Sequence, residues 1–203
     1  RRTNEVLKLI RKYYNLNCDT FIDILDVGTA DGLMLSNIKN NLNNCRCFGL
    51  EYSMDLIYTN TETKIKLISG DAKILPFKDN SFDILIACAV IEHLSDVTFF
   101  MKESYRILKE GGALIITTPV PVWESIFSAI GHIKEDQHQE TFNIRKLKEL
   151  LILYNFKVLE NKKFMISPIG FPFENFIENI LRTINITFTF GNQIIIGKKN
   201  GNK

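Results

Sequence analysis

The chain has 203 residues, of which 45% are hydrophobic and 11% aromatic, a composition typical of a single globular domain with a substantial core. Its formal charge of +2, from 25 basic and 23 acidic residues, gives no broad positive field, so nucleic acid is not an expected partner. The four scattered cysteines (Cys18, Cys45, Cys47 and Cys88) do not form a disulfide scaffold or a zinc motif, and they predict reduced thiols in a cytoplasmic protein.

The sequence contains no run of about 20 apolar residues that would cross a membrane, and no secretory signal. We expect one domain over residues 1–203, with a Phe-rich insert over about 168–190 before the last strand. The chain begins with Arg1 rather than Met, so a missing N-terminal segment stays an open alternative.

Apolar and amphipathic segments alternate along the chain and predict alternating strands and helices. Asp96 is expected to cap one helix, and Gly111 with Gly112 to end it. Two of the strands are nearly continuous apolar runs, which is typical of a parallel sheet covered on both faces, so we predict a doubly wound α/β fold. The predicted helices cover 3–14, a segment from about 33, 96–108 and 143–154; the predicted strands cover 21–27, 45–52, 64–70, 82–90, 112–119, 156–164 and 193–198.

The strand that ends at Val27 runs directly into a turn of small residues, Gly28, Ala30 and Gly32, before a helix begins near Leu33. Such a turn lets the backbone approach a ligand, and the positive end of the helix dipole then points into the crevice at the carboxyl edge of the sheet. A dinucleotide-binding motif needs a third glycine where this chain has Leu33, so a nicotinamide-dependent oxidoreductase is disfavoured.

The pattern of alternating small residues, with Asp26 two positions before Gly28, resembles motif I of the class I S-adenosylmethionine-dependent methyltransferases. Further motifs follow in that family's order over roughly residues 20–120, much as in the small-molecule branch that includes the ubiquinone and menaquinone methyltransferases. The resemblance implies a mostly parallel seven-stranded sheet of order 3-2-1-4-5-7-6 with the last strand antiparallel. The motifs are Gly49-Leu-Glu51-Tyr-Ser53, Gly70-Asp71-Ala72, Leu75-Pro-Phe77, Ser81-Phe-Asp83, Ile91-Glu-His-Leu94, Glu103, Arg106-Ile-Leu-Lys-Glu-Gly-Gly112 and Thr118-Pro119.

The resemblance also implies a cofactor site for S-adenosylmethionine. Glu51 would bind both ribose hydroxyls, and Asp71 would accept from the adenine amino group beside the Ala72 amide. Asp26 could instead cap the following turn, Glu51 could be a solvated strand end, and Asp71 could be an ordinary turn former. Their placement at the carboxyl ends of three successive strands favours one shared crevice. The expected cofactor-binding residues are Asp26, Gly28, Thr29, Ala30, Gly32, Glu51, Tyr52, Asp71, Ala72 and Cys88.

One position departs from the family pattern, since Ala30 stands where the middle glycine is usual. A methyl group is tolerated there when φ is negative, so we expect a negative φ and only a mild variation. A positive φ would strain the loop.

Two histidines are candidate catalytic bases, although a methyl group on a sulfonium needs mainly an acceptor held in line with it. His93 should lie at the mouth of the crevice, and its alternative is a packing histidine at a helix start. His138 precedes a predicted helix, and its alternative is a solvated loop. His93, His138 and Glu135 could surround a metal ion, but their spacing does not require one, and we predict no metal site.

The segment after the fourth strand, Cys88-Ala-Val-Ile-Glu-His, lacks the Asn/Asp-Pro-Pro-aromatic pattern of enzymes that methylate bases or glutamine. With the low net charge, this favours a small-molecule, lipid or glycan-precursor acceptor. The alternative function is a non-catalytic S-adenosylmethionine-binding module or partner subunit. The acceptor, the atom methylated and the oligomeric state stay open.

The Phe-rich insert is predicted to form an amphipathic helix, for which two interpretations are open. The helix could pack on the sheet, or it could form an apolar lid with residues 123–130 that admits a greasy acceptor or rests on a membrane surface. Acidic residues on its polar face do not favour the membrane. The apolar face would contain Phe173, Phe176, Ile177, Ile180 and Leu181, and the polar face Glu174, Glu178 and Arg182.

Overall fold

The computed structural model describes residues 1–14, 21–60, 64–121, 140–165, 174–183 and 190–201. Within these ranges, helices and strands alternate along the chain as the sequence predicts, with differences of a few residues at their ends. The helices are α1 (Arg2–Tyr13), α2 (Leu33–Asn41), α3 (Met54–Tyr58), α4 (Val97–Ile107), α5 (Ile144–Leu153) and α6 (Glu174–Thr183); the strands are β1 (Ile22–Val27), β2 (Cys45–Glu51), β3 (Lys66–Ser69), β4 (Phe82–Cys88), β5 (Leu108–Pro119), β6 (Phe156–Phe164) and β7 (Asn192–Lys199).

The seven strands form one sheet in the order β3-β2-β1-β4-β5-β7-β6. Strands β1 to β5 are mutually parallel, and β7 runs antiparallel to both of its neighbours. The predicted fold is therefore confirmed, including the direction of the last strand. Because β1, β2 and β3 are parallel neighbours, the loops that follow them leave from the same edge of the sheet.

Strand β1 lies at the centre of the molecule, and all six of its residues are buried. Ile22 and Ile24 face one core layer, which contains the apolar sides of α1 and α2. Leu25 and Val27 face the other layer, which contains the apolar sides of α4 and α5. A strand covered on both faces needs a continuous apolar run, which is why this segment was recognisable from sequence.

Helix α4 begins as predicted but ends differently. The Asp96 side chain accepts a hydrogen bond from the Thr98 amide, 2.8 Å away, and so caps the helix. The prediction that Gly111 and Gly112 end the helix is wrong, because both glycines lie inside β5. Leu108 already has extended backbone angles and pairs with Phe82 of β4, so strand pairing ends the helix.

Helix α6 forms in the Phe-rich insert, but its orientation is not the expected one. The Phe176 side chain is 66% exposed and Ile180 is also exposed, whereas Glu178 of the predicted polar face is only 7% exposed. An ion pair of 2.6 Å between Arg1 and Glu178 compensates this burial. Among the described residues of this face, Phe176 and Ile180 therefore do not pack closely on the sheet. Residues 123–130, the other half of the predicted lid, lie outside the described residues.

The cysteine pair on β2 is consistent with the predicted strand geometry. Cys45 and Cys47 are both buried on the same face, with their sulfur atoms 3.7 Å apart, and both are free thiols. None of the helices within the described ranges is long and apolar enough to cross a membrane.

Candidate functional site

The turn after β1 depends on two glycines with left-handed backbone angles. Gly28 has φ of +70° and Gly32 has φ of +77°, the latter immediately before α2. A methyl group on Gly28 would lie 2.5 Å from a Val90 side-chain carbon, so only glycine fits between the turn and the segment after β4. The turn is tied to β2, since the Gly28 and Thr29 amides both donate to the Leu50 carbonyl.

Ala30 also adopts the left-handed conformation, with φ of +52°. The expectation of a negative φ at this position is therefore wrong, and the loop carries the strain of a side chain where glycine is usual. The conformation is accompanied by a tertiary contact, since the Ala30 amide donates to a Glu51 carboxylate oxygen at 2.8 Å.

Glu51, the last residue of β2, is held by two backbone amides. Its Oε2 accepts from Ala30 at 2.8 Å, and its Oε1 accepts from Ser53 at 3.0 Å. The carboxylate thus links the turn after β1 to the turn after β2. The next residue, Tyr52, lies at the rim with 79% of its side chain exposed.

Asp71 and Ala72 follow β3, one strand further toward the sheet edge. The Asp71 carboxylate accepts from the Lys73 amide at 2.8 Å, a local turn that fixes one of its two oxygens. Ala72 contacts the core layer of α4, which holds this end of the loop against the sheet.

These turns surround a cleft of about 490 Å³ at the carboxyl edge of the sheet. The volume is in the range typical of small-molecule sites. The lining includes Glu51 and Asp71, which the sequence interpretation required to share one crevice, and this requirement is met. The lining residues are Val27, Gly28, Leu50, Glu51, Tyr52, Gly70, Asp71, Ala72, Lys73, Ala89, Val90, His93 and Leu94.

Five predicted site residues do not line the cleft: Asp26, Thr29, Ala30, Gly32 and Cys88. Thr29, Ala30 and Gly32 belong to the turn after β1. Asp26 lies near the end of β1, and Cys88 is the last residue of β4. Asp26 and Thr29 are buried, and burial raises the pKa of the Cys88 thiol to about 12. These residues can therefore shape the turn without contacting a ligand in the cleft.

Asp26 is the most unusual charged group near the cleft. Its side chain is fully buried and interacts with the Thr29 side chain, but neither carboxylate oxygen has a partner of full hydrogen-bond geometry within the described residues. Burial raises the pKa of Asp26 to about 7, the Glu51 charge adds to this rise, and the Thr29 side chain opposes it. The group therefore changes its charge close to neutral pH.

The segment after β4 places Glu92 and His93 on a short 3-10 turn, residues 91–93. His93 is exposed and lines the cleft, as predicted. Glu92 is fully buried beside it, and burial raises the pKa of its carboxyl group although the Thr118 side chain opposes this rise. Within the described residues, neither oxygen has a partner of full hydrogen-bond geometry.

Sequence reasoning assigned no role to Glu92, Lys73 or Ala89, although the last two line the cleft. Ala89 has a left-handed φ of +58°. Because the residue is not a glycine, nothing at this position in the sequence indicated such a turn. For Glu92, its place beside a candidate histidine was the available signal. His138 and Glu135 lie outside the described residues, and no group of three potential metal ligands occurs in the ranges that the structure covers.

Comparison with known proteins gives a consistent result. A family model described as a methyltransferase domain matches residues 25–116, the part of the chain that contains the turns around the cleft. The demethylmenaquinone methyltransferase of Staphylococcus saprophyticus is 30% identical over 166 residues, which are 68% of this chain and 70% of that protein. The protein of the same name from Listeria welshimeri is 32% identical over 139 residues, 62% of this chain and 56% of the relative, so the chain spans little more than half of that relative's length.

Among solved structures, a phosphoethanolamine N-methyltransferase 2 from Haemonchus contortus, in complex with S-adenosyl-L-methionine, superposes with a TM-score of 0.68. The match covers 98% of this chain and 53% of that one at 15% sequence identity. At this identity the similarity demonstrates a shared fold.

Proposed function

The chain belongs to the S-adenosylmethionine-dependent methyltransferases, and on that premise we propose that it transfers the methyl group of this cofactor to a small-molecule acceptor. The observation that carries the proposal is the single cleft that Glu51, Asp71 and the Gly28 turn enclose together. The described residues fit the cofactor at both of its ends.

Glu51 fits the role of ribose ligand. A carboxylate offers about four acceptor positions, and backbone amides of Ala30 and Ser53 occupy one on each oxygen. Counting donors from the described residues, one position on each oxygen is left, which would suit the two adjacent hydroxyls of a ribose. Because the hydrogen bonds from these two backbone amides already fix the Glu51 carboxylate, little ordering of this side chain is needed when a ligand binds.

Asp71 and Ala72 would hold the adenine. The Lys73 backbone amide already donates to one carboxylate oxygen of Asp71, so the other oxygen could accept from the adenine amino group. The Ala72 backbone amide would donate to a ring nitrogen of the adenine. At the opposite end, the Gly28 turn would hold the methionine part, supported from beneath by Asp26. A methyl group on Gly28 would fill this space, so the turn keeps the cleft open.

S-adenosylmethionine supplies a methyl group that is already activated by its sulfonium centre, so the chain needs no nucleophile of its own. Its residues have to hold the acceptor in line with the methyl group and keep water away. His93 lines the cleft and is exposed, which supports the proposal that it takes a proton from a hydroxyl or acidic carbon of the acceptor. We retain His138 as a second candidate base.

The class of acceptor rests on weaker support than the cofactor. The small net charge and the missing base-methylation motif favour a small molecule, a lipid or a glycan precursor over nucleic acid. The relatives named above are demethylmenaquinone methyltransferases, so demethylmenaquinone is the first acceptor to test.

Calorimetry tests the cofactor assignment. The wild-type chain should bind S-adenosylmethionine and S-adenosylhomocysteine but not NAD. Glu51→Gln and Asp71→Asn should each weaken S-adenosylhomocysteine binding by about tenfold or more, because each removes a charged hydrogen-bond acceptor from the cleft. Asp55→Asn is the matched control, since Asp55 is exposed on α3 and does not line the cleft. Unchanged affinity in both cleft variants would refute these assignments.

A turnover screen tests the reaction. The wild-type chain should methylate demethylmenaquinone or another small acceptor, and His93→Ala should lower the rate by about 10²- to 10⁴-fold if His93 is the base. Tight cofactor binding without turnover on a panel of lipid, quinone and sugar acceptors would favour the alternative function, a non-catalytic cofactor-binding module.

A further inference from the structure

We propose that Arg106 of α4 is a positioning residue. Together with Glu103 it holds the loop that carries Asp71 and Ala72 in the conformation that forms one wall of the cleft. This inference rests on the proposed function. Arg106 does not line the cleft, so any effect on a bound cofactor has to pass through the loop.

The Arg106 guanidinium makes five hydrogen bonds, and three of them reach the loop. It donates to the carbonyls of Leu75 and Phe77 at 3.0 and 2.8 Å, and to the Asp79 carboxylate at 2.7 Å. The other two go to the two oxygens of Glu103 at 2.7 and 2.8 Å, in the bidentate geometry that arginine and carboxylate favour. The Arg106 side chain therefore binds the loop at three points, and we call these three hydrogen bonds the clamp.

Glu103 adds a fourth contact, because its Oε2 accepts from the Leu75 amide at 2.9 Å. Both backbone groups of Leu75 are thus bound by one ion pair on α4. The Arg106 hydrogen bonds hold the pKa of Glu103 below its ordinary value, which keeps the carboxylate charged in the neutral range.

At its ligand-binding end the loop has mainly local constraints, together with the packing of Ala72 against the core layer of α4. Asp71 makes a local turn with Lys73 and an isolated bridge with Ile74, and the Ile74 side chain is exposed. Strand β3 is only four residues long and lies at the edge of the sheet. The hydrogen bonds from Arg106 and Glu103 restrict the conformations open to this loop before a ligand binds, which lowers the entropy cost of ordering it on binding.

Two variants with equivalent chemistry separate positioning from general stability. Arg106→Gln removes the clamp. Arg46→Gln removes another bidentate pair, between Arg46 and Asp23 at 2.5 and 2.8 Å. This pair lies near the amino ends of β1 and β2, at the edge of the sheet opposite the cleft. Arg106→Lys keeps the charge but not the planar set of five donors, so it should give an intermediate result.

Calorimetry with S-adenosylhomocysteine and with 5′-methylthioadenosine is the binding experiment. Arg106→Gln should raise both dissociation constants by the same factor, roughly ten- to hundredfold, because in the proposed function the loop would contact the nucleoside that both ligands share. Arg46→Gln should leave both unchanged. In turnover, KM for the cofactor should rise while kcat at saturation stays the same. Equal affinity of Arg106→Gln and wild type would overturn the inference.

Amide hydrogen exchange of the free protein tests the same inference without any ligand. Exchange over residues 71–77 should accelerate in Arg106→Gln and not in Arg46→Gln. Unchanged exchange would refute the clamp whatever the protein binds. Failure of the wild-type chain to bind either ligand would instead refute the proposed function. If Arg106→Gln does not fold, Glu103→Gln offers a milder perturbation of the same contacts, with the same expected direction in both measurements.

Discussion

Asp26→Asn should stabilise the ligand-free protein at pH 8, although it alters a residue expected to support the cofactor site. The side chain is fully buried, and within the described residues neither carboxylate oxygen has a hydrogen bond of full geometry. Burial raises the pKa of Asp26 from 3.8 to about 7. An ionised carboxylate in this position is costly, and the neutral amide of asparagine has nearly the same shape without the charge.

The size of the effect follows from linkage between proton binding and folding. Between pH 4 and 7 the folded protein keeps a proton that the unfolded chain releases, so its stability falls as the pH rises through this range. At about 1.4 kcal/mol for each unit of pKa, the loss at pH 8 is about 4 kcal/mol. Roughly 3 kcal/mol of it develops between pH 5 and pH 8. The gain from Asp26→Asn should therefore be small at pH 5 and large at pH 8.

Urea denaturation at several pH values between 5 and 8 measures this difference. Glu92, whose pKa burial also raises, is present in both proteins, so its contribution cancels when variant and wild type are compared. Asp55→Asn, on the exposed surface of α3, is the charge-matched control and should shift stability by less than about 1 kcal/mol at every pH. If the difference between Asp26→Asn and wild type does not grow with pH, Asp26 does not ionise near neutrality and this reasoning is wrong.

Three further changes test local parts of the structure. Ala30→Gly should raise the free energy of unfolding by up to about 1 kcal/mol in urea titrations, because it relieves a left-handed φ. The control is Ala72→Gly, which should lower the free energy of unfolding because Ala72 does not have a positive φ. Gly28→Ala should weaken S-adenosylhomocysteine binding in calorimetry, since the new methyl group meets Val90; the double variant with Val90→Ala should recover part of the affinity, and no recovery would show that the clash is not the cause. Asn143→Ala should lower the free energy of unfolding by about 1 kcal/mol, because the Asn143 side chain accepts from the Lys146 amide at 2.9 Å and caps α5; an unchanged midpoint in urea would contradict that role.

The order of the elements was predictable because it depends on residues close together in the chain. The apolar run of β1 and the small residues after it fixed where the first turn would lie. Asp96 and Asn143 marked the starts of two helices, and the structure shows both side chains capping them. The acidic residues after β2 and β3 were predicted to share a crevice, since parallel strands end at the same edge of a sheet.

Some outcomes could not be predicted from neighbouring residues. The positive φ of Ala30 is associated with a hydrogen bond to Glu51, 21 positions away. Glu178, which periodicity placed on the solvent face of α6, is buried against Arg1, 177 positions earlier. The end of α4 was mispredicted for the same reason, since pairing between β4 and β5 took Leu108 into a strand before the glycines were reached.

The sequence by itself determined the fold, the family and the positions of the acidic residues around the cleft, because periodicity, turn-forming residues and motif order are local properties of the chain. Only the tertiary structure decided the surroundings of particular residues: the two amides on Glu51, the complete burial of Asp26 and the five hydrogen bonds of Arg106. The physical reason is that a hydrogen bond requires its two atoms to be within about 3 Å in space. For distant residues, that distance is set by the packing of the whole chain.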